Sequence, residues 1–381
     1  MRGPAIATAS LPIIVPRPSP NAVTGSHGLD ASLRYMLDVF AYSTYASGRW
    51  KPTYRSRNAG NGRIRQDRAE ELMSQMEDGM TGIFGAIIGD IVGSKYEANP
   101  IKTKHFPLFS NGCRFTDDTV MTCAVAEGIM NGGSADDFID AMKKYGRMYP
   151  NAGYGPRFMR WLFSDSREPI GSFGNGSAMR ISPCAWMMSC GFTARTGFMP
   201  IGGRELAERS ITVTHDDPEG VRGGMAVADS IFLARYYFGG CRGEHERSLA
   251  DDPAACRQRI EDHIIHEYGY NMSRSLGKIR SDYRFDATCQ GSVPEAITCF
   301  LESTGFEDAI RNAVSLGGDS DTQAAIAASI AQAAYGIPDS IAEQALSYLP
   351  MPLRDVLTRW DAFYRDLDEP PLFFEHRPYN A

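Results

Sequence analysis

Long apolar runs are absent from this chain. No stretch approaches the roughly 20 consecutive apolar residues that a helix needs to cross a bilayer. The start of the chain contains some apolar side chains, but Pro4, Pro12 and Pro16 interrupt them, and a secretory signal requires a continuous apolar segment. We therefore expect a protein with no membrane partner.

Cysteine is sparse and irregularly spaced. The 381 residues include eight cysteines, none of them in a Cys-x-x-Cys pair. This spacing argues against the common structural zinc sites and against a disulfide framework. Unpaired cysteines that act as small buried hydrophobic residues are typical of a reducing compartment, so the sequence predicts a cytoplasmic location.

An excess of positive charge is also missing, since the formal net charge at pH 7 is −7. A protein that binds nucleic acid broadly needs a basic surface, so we expect no nucleic-acid partner. With 43% hydrophobic and 22% charged residues, the chain has enough apolar side chains for a large core. This composition is that of a globular enzyme.

Several catalytic motifs are missing as well. Gly174–Ala178 does not match the G-x-S-x-G segment of serine hydrolases. Met179 stands where a dinucleotide-binding fingerprint requires its third glycine. The chain has no Walker A lysine motif, and its seven histidines form no H-E-x-x-H zinc motif. Metal-assisted hydrolysis with oxygen ligands remains compatible with the sequence.

Two Asp-rich clusters stand out among the motifs that are present. They occupy Thr116–Thr119 and Asp319–Thr322, and each precedes an apolar run with helical spacing. At a helix start the backbone is not yet regular, so neighbouring carboxylates can converge. Two such starts that face each other would form the all-oxygen shell that Mg²⁺ prefers. Simple helix capping would also explain either cluster alone.

Helical spacing dominates from Thr81 onward. Gly85, Gly89 and Gly93 are four residues apart, so they would form one smooth helix face that a neighbour can approach closely. The segment Ala324–Tyr335 is small and apolar nearly all round, which is typical of a helix buried in a large bundle. The pattern predicts an all-α, many-helix orthogonal bundle for residues 81–381.

Glycines and polar residues recur together in five segments of the chain. These segments are Gly85–Glu97, Gly171–Arg180, Thr214–Gly220, Gln290–Ala296 and Ser315–Thr322. Their order and content resemble the ADP-ribosylglycohydrolase family, the relatives of the enzyme that removes ADP-ribose from dinitrogenase reductase. The resemblance covers most of the chain and also implies an all-α bundle.

The resemblance implies a metal-dependent hydrolase. Its substrate would be an ADP-ribosylated protein, cleaved at the bond between the terminal ribose and a side chain. Two Mg²⁺ or Mn²⁺ ions would bind the vicinal hydroxyls of that ribose and orient a water. The matching metal-ligand positions are Thr116, Asp117, Asp118, Asp319, Asp321 and Thr322.

The resemblance also implies roles in proton transfer and in substrate binding. Glu97, Asp118 and Asp319 are the candidate acid or base groups, whereas Asp90 is expected to have a structural role. The glycine loop, Gly171–Gly176, could bring its backbone close to a diphosphate and place the Phe173 ring against a base or ribose. A tight turn between helices would explain the same glycines. The substrate-binding positions are Gly171, Ser172, Phe173, Gly174, Asn175, Gly176 and His215.

The linkage that is cleaved stays open at the level of sequence. We expect ADP-ribosylarginine, because the bacterial branch that this chain resembles mostly removes ADP-ribose from arginine. The alternatives are ADP-ribosylserine, esters of free ADP-ribose, poly-ADP-ribose, and a non-enzymatic structural or binding role. All the metal-ligand positions are retained, which argues against a loss of catalysis.

Residues 1–80 precede the family resemblance and form a separate N-terminal extension. Its second half is basic, with an arginine or lysine at positions 49, 51, 55, 57, 63, 65 and 68. Some family members are immunity proteins that also block an ADP-ribosyltransferase toxin through such an extension. The extension is therefore predicted to be a partner-binding arm for a toxin of this kind, with a solvated linker as the alternative.

We expect that deletion of residues 1 to about 75 leaves hydrolysis nearly unaffected, because every proposed ligand lies between Glu97 and Thr322. The deletion should weaken binding to a cognate ADP-ribosyltransferase, for which Trp50, Tyr54 and Arg55 are the expected anchors. Pull-down and growth-protection assays with full-length Asp117→Ala protein test this role. If that protein neither binds nor protects against a neighbouring transferase, the blocking role is wrong.

Overall fold

The computed structural model describes residues 82–193, 197–201, 203–238 and 252–367. The predicted N-terminal extension, residues 1–80, lies outside this part of the chain, so its boundary and its partner-binding role stay predictions. The described residues form fifteen α-helices and one β-hairpin. In chain order the helices are α1 Phe84–Glu97, α2 Asp117–Met130, α3 Ala135–Met148, α4 Pro156–Phe163, α5 Gly176–Met179, α6 Ser182–Trp186, α7 Arg204–Thr212, α8 Pro218–Phe238, α9 Pro253–Tyr268, α10 Leu276–Asp282, α11 Cys289–Leu301, α12 Phe306–Val314, α13 Ser320–Tyr335, α14 Asp339–Leu346 and α15 Met351–Arg365.

The prediction of an all-α bundle is confirmed, with one local addition. Between α6 and α7 the chain forms a two-stranded antiparallel hairpin of β1 (Ser189–Thr193) and β2 (Gly197–Ile201), in which Gly191 lies opposite Met199. Alternation of apolar and polar residues is too short there for sequence periodicity to reveal it.

Helix α13 forms the centre of the bundle. It packs against α1, α8, α11 and α12, and its residues from Ser320 to Ala333 are all buried. A helix surrounded on every side cannot carry a polar face, which is why its sequence is rich in alanine and isoleucine. The helix ends before Gly336, whose φ of 72° favours glycine.

Helices α1 and α13 are in backbone contact along the predicted glycine face. A methyl group built on Gly85 would lie 2.6 Å from the carbonyl oxygen of Ala328. On Gly89 and Gly93 a methyl group would overlap the backbone of Ala324 and Ser320. The three glycines therefore permit a separation that no larger side chain would allow.

Cysteine side chains and helix hydropathy can be read from the described part of the chain. Six cysteines have described side chains, and all six are buried and without a disulfide partner. Within the described segments, no helix is both long and apolar enough to cross a membrane.

The contact between α1 and α13 should make Gly89 intolerant of any side chain. We expect Gly89→Ala to lower the free energy of unfolding by roughly 1–3 kcal/mol, because the added methyl group forces two packed backbones apart. Gly277→Ala in α10 is the matched control, since open space surrounds that position and alanine favours helix. Urea unfolding measures both, and equal stability of the two variants would contradict this packing.

Candidate active site

The starts of α2 and α13 face each other, as the two Asp-rich clusters predicted. Thr116 caps α2, and its hydroxyl accepts a hydrogen bond from the Asp118 amide at 3.3 Å. The hydroxyl of Thr322, in the first turn of α13, lies 3.4 Å from Asp118 Oδ2. The chain thus brings together side chains that are 204 positions apart.

Carboxylates converge in two overlapping groups at this junction. Oxygens of Asp90, Asp118 and Asp321 lie within 4.8 Å of one another, and so do oxygens of Glu97, Asp319 and Asp321. Asp321 belongs to both groups and therefore lies between them. Asp117 is in neither group, although it lines the adjacent cavity.

Asp90 anchors the start of α2. Its carboxylate accepts hydrogen bonds from the amide and hydroxyl of Thr116, at 2.8 and 2.7 Å. It also accepts from the amide of Thr119 at 3.1 Å and from the Thr119 hydroxyl. Since these donors occupy the carboxylate of Asp90, its contacts fit the structural role expected of it better than that of a metal ligand.

Asp319 is oriented by the glycine loop. The Asn175 amide nitrogen donates to Asp319 Oδ2 at 2.7 Å and to the Ser292 hydroxyl at 3.1 Å. Ser292 in turn donates to the carbonyl oxygen of Thr288 at 2.6 Å. A residue that was predicted to bind substrate thus also fixes a predicted metal ligand.

The crowding makes these carboxyl groups hard to ionise. Burial, followed by repulsion from Asp321, raises the pKa of Asp90 to about 7 and that of Asp117 to about 8. The same causes raise the pKa of Asp118 and of Asp319 well above the ordinary value. Without a cation, the cluster therefore holds protons at pH values where an exposed aspartate is ionised.

The donors present fit a divalent cation. Asp118 Oδ1 is buried and has no hydrogen-bond partner among the described residues, which is costly for a carboxylate oxygen unless a positive charge lies nearby. The neighbouring atoms that could bind a metal are carboxylate and hydroxyl oxygens, which are the ligands of Mg²⁺ and Mn²⁺. Asp118, Asp319 and Asp321, with Glu97 at the edge, would hold such ions.

Glu97 ends α1 at the edge of the cluster, facing the cavity. Partial burial, and then repulsion from Asp321, raises the pKa of Glu97, whereas Arg114 has the opposite influence. A raised pKa favours the protonated form of this carboxyl group. This position suits the acid or base role predicted for it.

A cavity of about 360 Å³ opens beside the carboxylates. The glycine loop lines one side of it with Ser172, Gly174, Asn175 and Gly176, whereas Gly171 and Phe173 are not among the lining residues. The loop also uses some of its own donors. The amides of Gly171 and Asn175 donate to Asp216 Oδ1 and to the Ala287 carbonyl oxygen at 2.8 and 2.9 Å.

The glycine loop therefore offers a diphosphate fewer N–H groups than its glycine content suggests. Gly174 also donates to its neighbour Ser172 Oγ at 3.3 Å. Both the binding-loop and the tight-turn interpretation thus describe part of this segment.

His215 lies at the wall of the cavity as a neutral imidazole. A methyl group on Gly176 would lie 3.3 Å from His215 Nε2, and the other ring nitrogen, Nδ1, pairs with the Thr214 hydroxyl at 2.8 Å. Burial, together with the charge of Arg180, lowers the pKa of His215 well below its ordinary value. Nε2 is therefore the ring atom available toward the cavity.

Sequence reasoning missed several residues of the cavity wall. Phe285 lines it and is 57% exposed, while Phe158, Arg114 and Arg157 line other parts. None of them belongs to a recurring motif, and they lie on loops or at an irregular helix start. Their spacing carried no signal, so only the fold reveals them.

The carboxylate cluster should make stability depend on pH in a specific direction. Folded-state pKa values of about 7 and 8 for Asp90 and Asp117 exceed the ordinary 3.8. Between these values the folded state binds more protons than the unfolded state, so the free energy of unfolding falls as pH rises from about 4 to about 8. In a chelator at pH 8 we expect Asp118→Asn protein to unfold at a higher temperature than wild type, with the difference vanishing toward pH 4.

Divalent cations should reverse that order, because they bind the wild-type cluster. The matched control is Asp136→Asn, which removes an exposed carboxylate paired with Arg167 and should show neither effect. Thermal unfolding across this pH range checks both. A lower unfolding temperature for Asp118→Asn in chelator at pH 8 would show that carboxylate repulsion is not significant.

Comparison with known proteins places this site in a family. The sequence profile of the family described as ADP-ribosylglycohydrolase matches residues 75–369. The chain is 25% identical over 316 residues to ADP-ribosylhydrolase ARH3 of Danio rerio, across 68% of this chain and 82% of that protein. It is 27% identical over 282 residues to ADP-ribosylarginine hydrolase Tri1 of Pseudomonas putida (strain GB-1), across 67% and 70% respectively.

A solved structure has the same fold. A chain of an ADP-ribosylglycohydrolase-related protein complex aligns with a TM-score of 0.50 and 22% identity, covering 80% of this chain and 99% of that one. The family profile matches most of the chain, and it includes both Asp-rich clusters, the glycine loop and His215. The chain belongs to the ADP-ribosylglycohydrolase family.

Proposed function

We propose that this protein is a divalent-cation-dependent hydrolase that cleaves the N-glycosidic bond between ADP-ribose and an arginine side chain of a modified protein. The observation that carries the proposal is the convergence of Glu97, Asp118, Asp319 and Asp321 beside a glycine-lined cavity.

The cavity has a charge distribution suited to ADP-ribose. Arg157 lines it together with the glycine loop and His215, so a diphosphate would meet positive charge and neutral donors there, whereas Arg114 acts electrostatically on Glu97. The terminal ribose and the linked side chain would be placed at the carboxylates, which adjoin the loop where Asn175 donates to Asp319. Phe285 and Phe158 supply apolar surface for the base or a ribose.

Metal binding would rest on Asp118, Asp319 and Asp321, with Thr116, Asp117 and Thr322 completing the proposed set. When bound, two Mg²⁺ or Mn²⁺ ions supply the positive charge that holds the vicinal hydroxyls of the ribose and makes a neighbouring water more acidic.

Positioning of these ligands comes from the protein itself. Asp90 fixes the start of α2 through Thr116 and Thr119, and Asn175 fixes Asp319. These supports would hold the carboxylates in one arrangement before substrate arrives, which lowers the reorganisation needed for reaction.

Glu97 is the group that we assign to proton transfer. It lines the cavity at the edge of the carboxylate cluster, from which its carboxyl group would give a proton to the departing nitrogen. Cleavage of a glycosidic bond passes through a state with positive charge on the ribose, which the nearby carboxylates would stabilise. Asp118 and Asp319 are the alternative acid or base groups.

Arginine is the linkage that we propose. A guanidinium leaving group carries positive charge, and it would leave from the end of the cavity where Glu97, Asp319 and Asp321 converge. Similarity to an ADP-ribosylarginine hydrolase at 27% identity also supports this choice, whereas the similarity to ARH3 proteins keeps serine-linked ADP-ribose as the alternative. A toxin-blocking role for residues 1–80 is a second, compatible proposal.

Hydrolysis should depend on both the metal and its ligands. We expect the wild type to release ADP-ribose from ADP-ribosylarginine protein with Mg²⁺ or Mn²⁺ and not after chelation. Asp321→Ala should abolish release, because Asp321 is shared by both carboxylate groups. Asp136→Ala, at an exposed site, is the control and should keep full activity.

Three outcomes of that release assay separate the claims. Equal rates with and without chelator would contradict the metal-dependent mechanism. Release from ADP-ribosylserine protein but not from ADP-ribosylarginine protein would assign the alternative linkage. Release from neither, by correctly folded and metal-loaded protein, would overturn the hydrolase proposal for both linkages.

A further inference from the structure

A single lysine joins three loops that meet at the carboxylate cluster. Lys102 lies five residues beyond Glu97, and its ammonium group donates to the carbonyl oxygen of Tyr283 at 2.6 Å and to that of Leu316. Leu316 is three residues before Asp319, and Tyr283 is two residues before Phe285. The ammonium therefore links a cavity-wall loop and both chain segments that supply Glu97 and Asp319.

The Leu316 carbonyl is a favourable partner for a cation. It lies in the turn just beyond the end of α12 (Phe306–Val314), close to the negative end of that helix's dipole. Hydrogen bonds from an ammonium group to such carbonyls are stronger than bonds between neutral groups. The interaction would thus hold the Leu316–Asp319 turn more firmly than packing of a neutral side chain.

The same turn is enclosed on both sides. Gly317 has a φ of +65°, and a methyl group there would lie 2.9 Å from the carbonyl oxygen of Ile101 and 3.2 Å from Lys102 Cε. A methyl group on Gly318 would overlap the ring of Tyr283. Two neighbours therefore set the position of the turn before Asp319. One is the segment after Glu97, to which Lys102 belongs, and the other is Tyr283, whose carbonyl oxygen accepts a hydrogen bond from Lys102.

We propose that Lys102 is a positioning residue for the metal cluster: its ammonium group holds the turn that presents Asp319 and Asp321 at the correct distance from Glu97. The proposal rests on the proposed metal-dependent function and adds a residue to it. Lys102 is not among the residues that line the cavity. It acts through the Leu316 carbonyl, and loss of that bond lets the two sides of the cluster separate.

Lys104 provides a matched comparison on the same segment. Its ammonium forms an ion pair with Asp308 and lies on none of the bonds that fix the Leu316–Asp319 turn. Lys102→Met keeps the length and apolar stem that pack against Gly317 but removes the charge and the donors. Lys104→Met makes the same chemical change at a site that should not influence the cluster.

The test is Mn²⁺ affinity of the metal-free, full-length protein by calorimetry. We expect Lys102→Met to weaken Mn²⁺ binding about 10-fold, the size typical when a group that orients metal ligands is lost. Lys104→Met should bind as wild type does, and Lys102→Arg, which keeps charge and donors, should restore most of the affinity. Hydrolysis by Lys102→Met protein should recover in excess Mn²⁺, and its KM for the ADP-ribosylated protein substrate should equal that of wild type.

The outcomes distinguish this inference from the proposed function. If wild type binds Mn²⁺ and hydrolyses substrate, and Lys102→Met binds Mn²⁺ equally well but unfolds at a lower temperature, Lys102 is merely structural and the inference is wrong. If wild type binds no Mn²⁺, the proposed function fails and the inference fails with it. Should Lys102→Met not fold, Lys102→Gln replaces it. If Lys102→Gln protein then binds Mn²⁺ as tightly as Lys102→Arg protein does, the inference is wrong.

Discussion

The backbone contact between α1 and α13 is the constraint on which the site depends. Gly93 lies on α1 between Asp90 and Glu97, and it packs directly on Ser320 at the start of α13. Because no side chain separates the two helices, carboxylates from both reach the same small volume. Asp90 then extends this arrangement to a third helix, since it holds the cap of α2. One close helix contact thus positions both Asp-rich clusters.

This arrangement is unfavourable for the folded chain when no cation is present. Buried carboxylates that repel one another have raised pKa values, and the repulsion opposes the favourable packing of α1 on α13. Proteins keep such strained groups where function requires them, because the surrounding structure holds them in place. Here the buried Asp118 oxygen, which has no hydrogen-bond partner among the described residues, is suited to contact with a positive charge.

Much of this fold could be predicted from sequence because its signals are local. The glycine spacing of α1, the small apolar residues of α13 and the capping residues at Thr116 and Asp319 each concern neighbouring positions, and the structure bears out the helices they predicted. A family resemblance then placed the two clusters in one site, and the structure brings them together.

The remaining features depend on contacts between distant positions, which sequence periodicity cannot reveal. Asn175 orients Asp319 from 144 positions away, and Lys102 reaches Leu316 across 214 positions. Phe285 lines the cavity only because the chain after α10 turns toward the glycine loop, where Gly174 and Thr288 pair. The expected position of Phe173 against the ligand is not supported in the same way, since Phe173 is not among the lining residues.

The difference between packed helices and loops also explains why the family of this protein can be identified while the linkage that it cleaves stays a proposal. The carboxylates lie at helix ends whose position follows from packing, so any chain with these helices would bring the same carboxylates together. The cavity wall, by contrast, comes largely from loops and short helices, including Phe285, Arg157 and Arg114. Loops tolerate sequence change without loss of the core. Because packed helices hold the carboxylates while loops form much of the wall, membership of the family follows from the shared core and does not fix the leaving group.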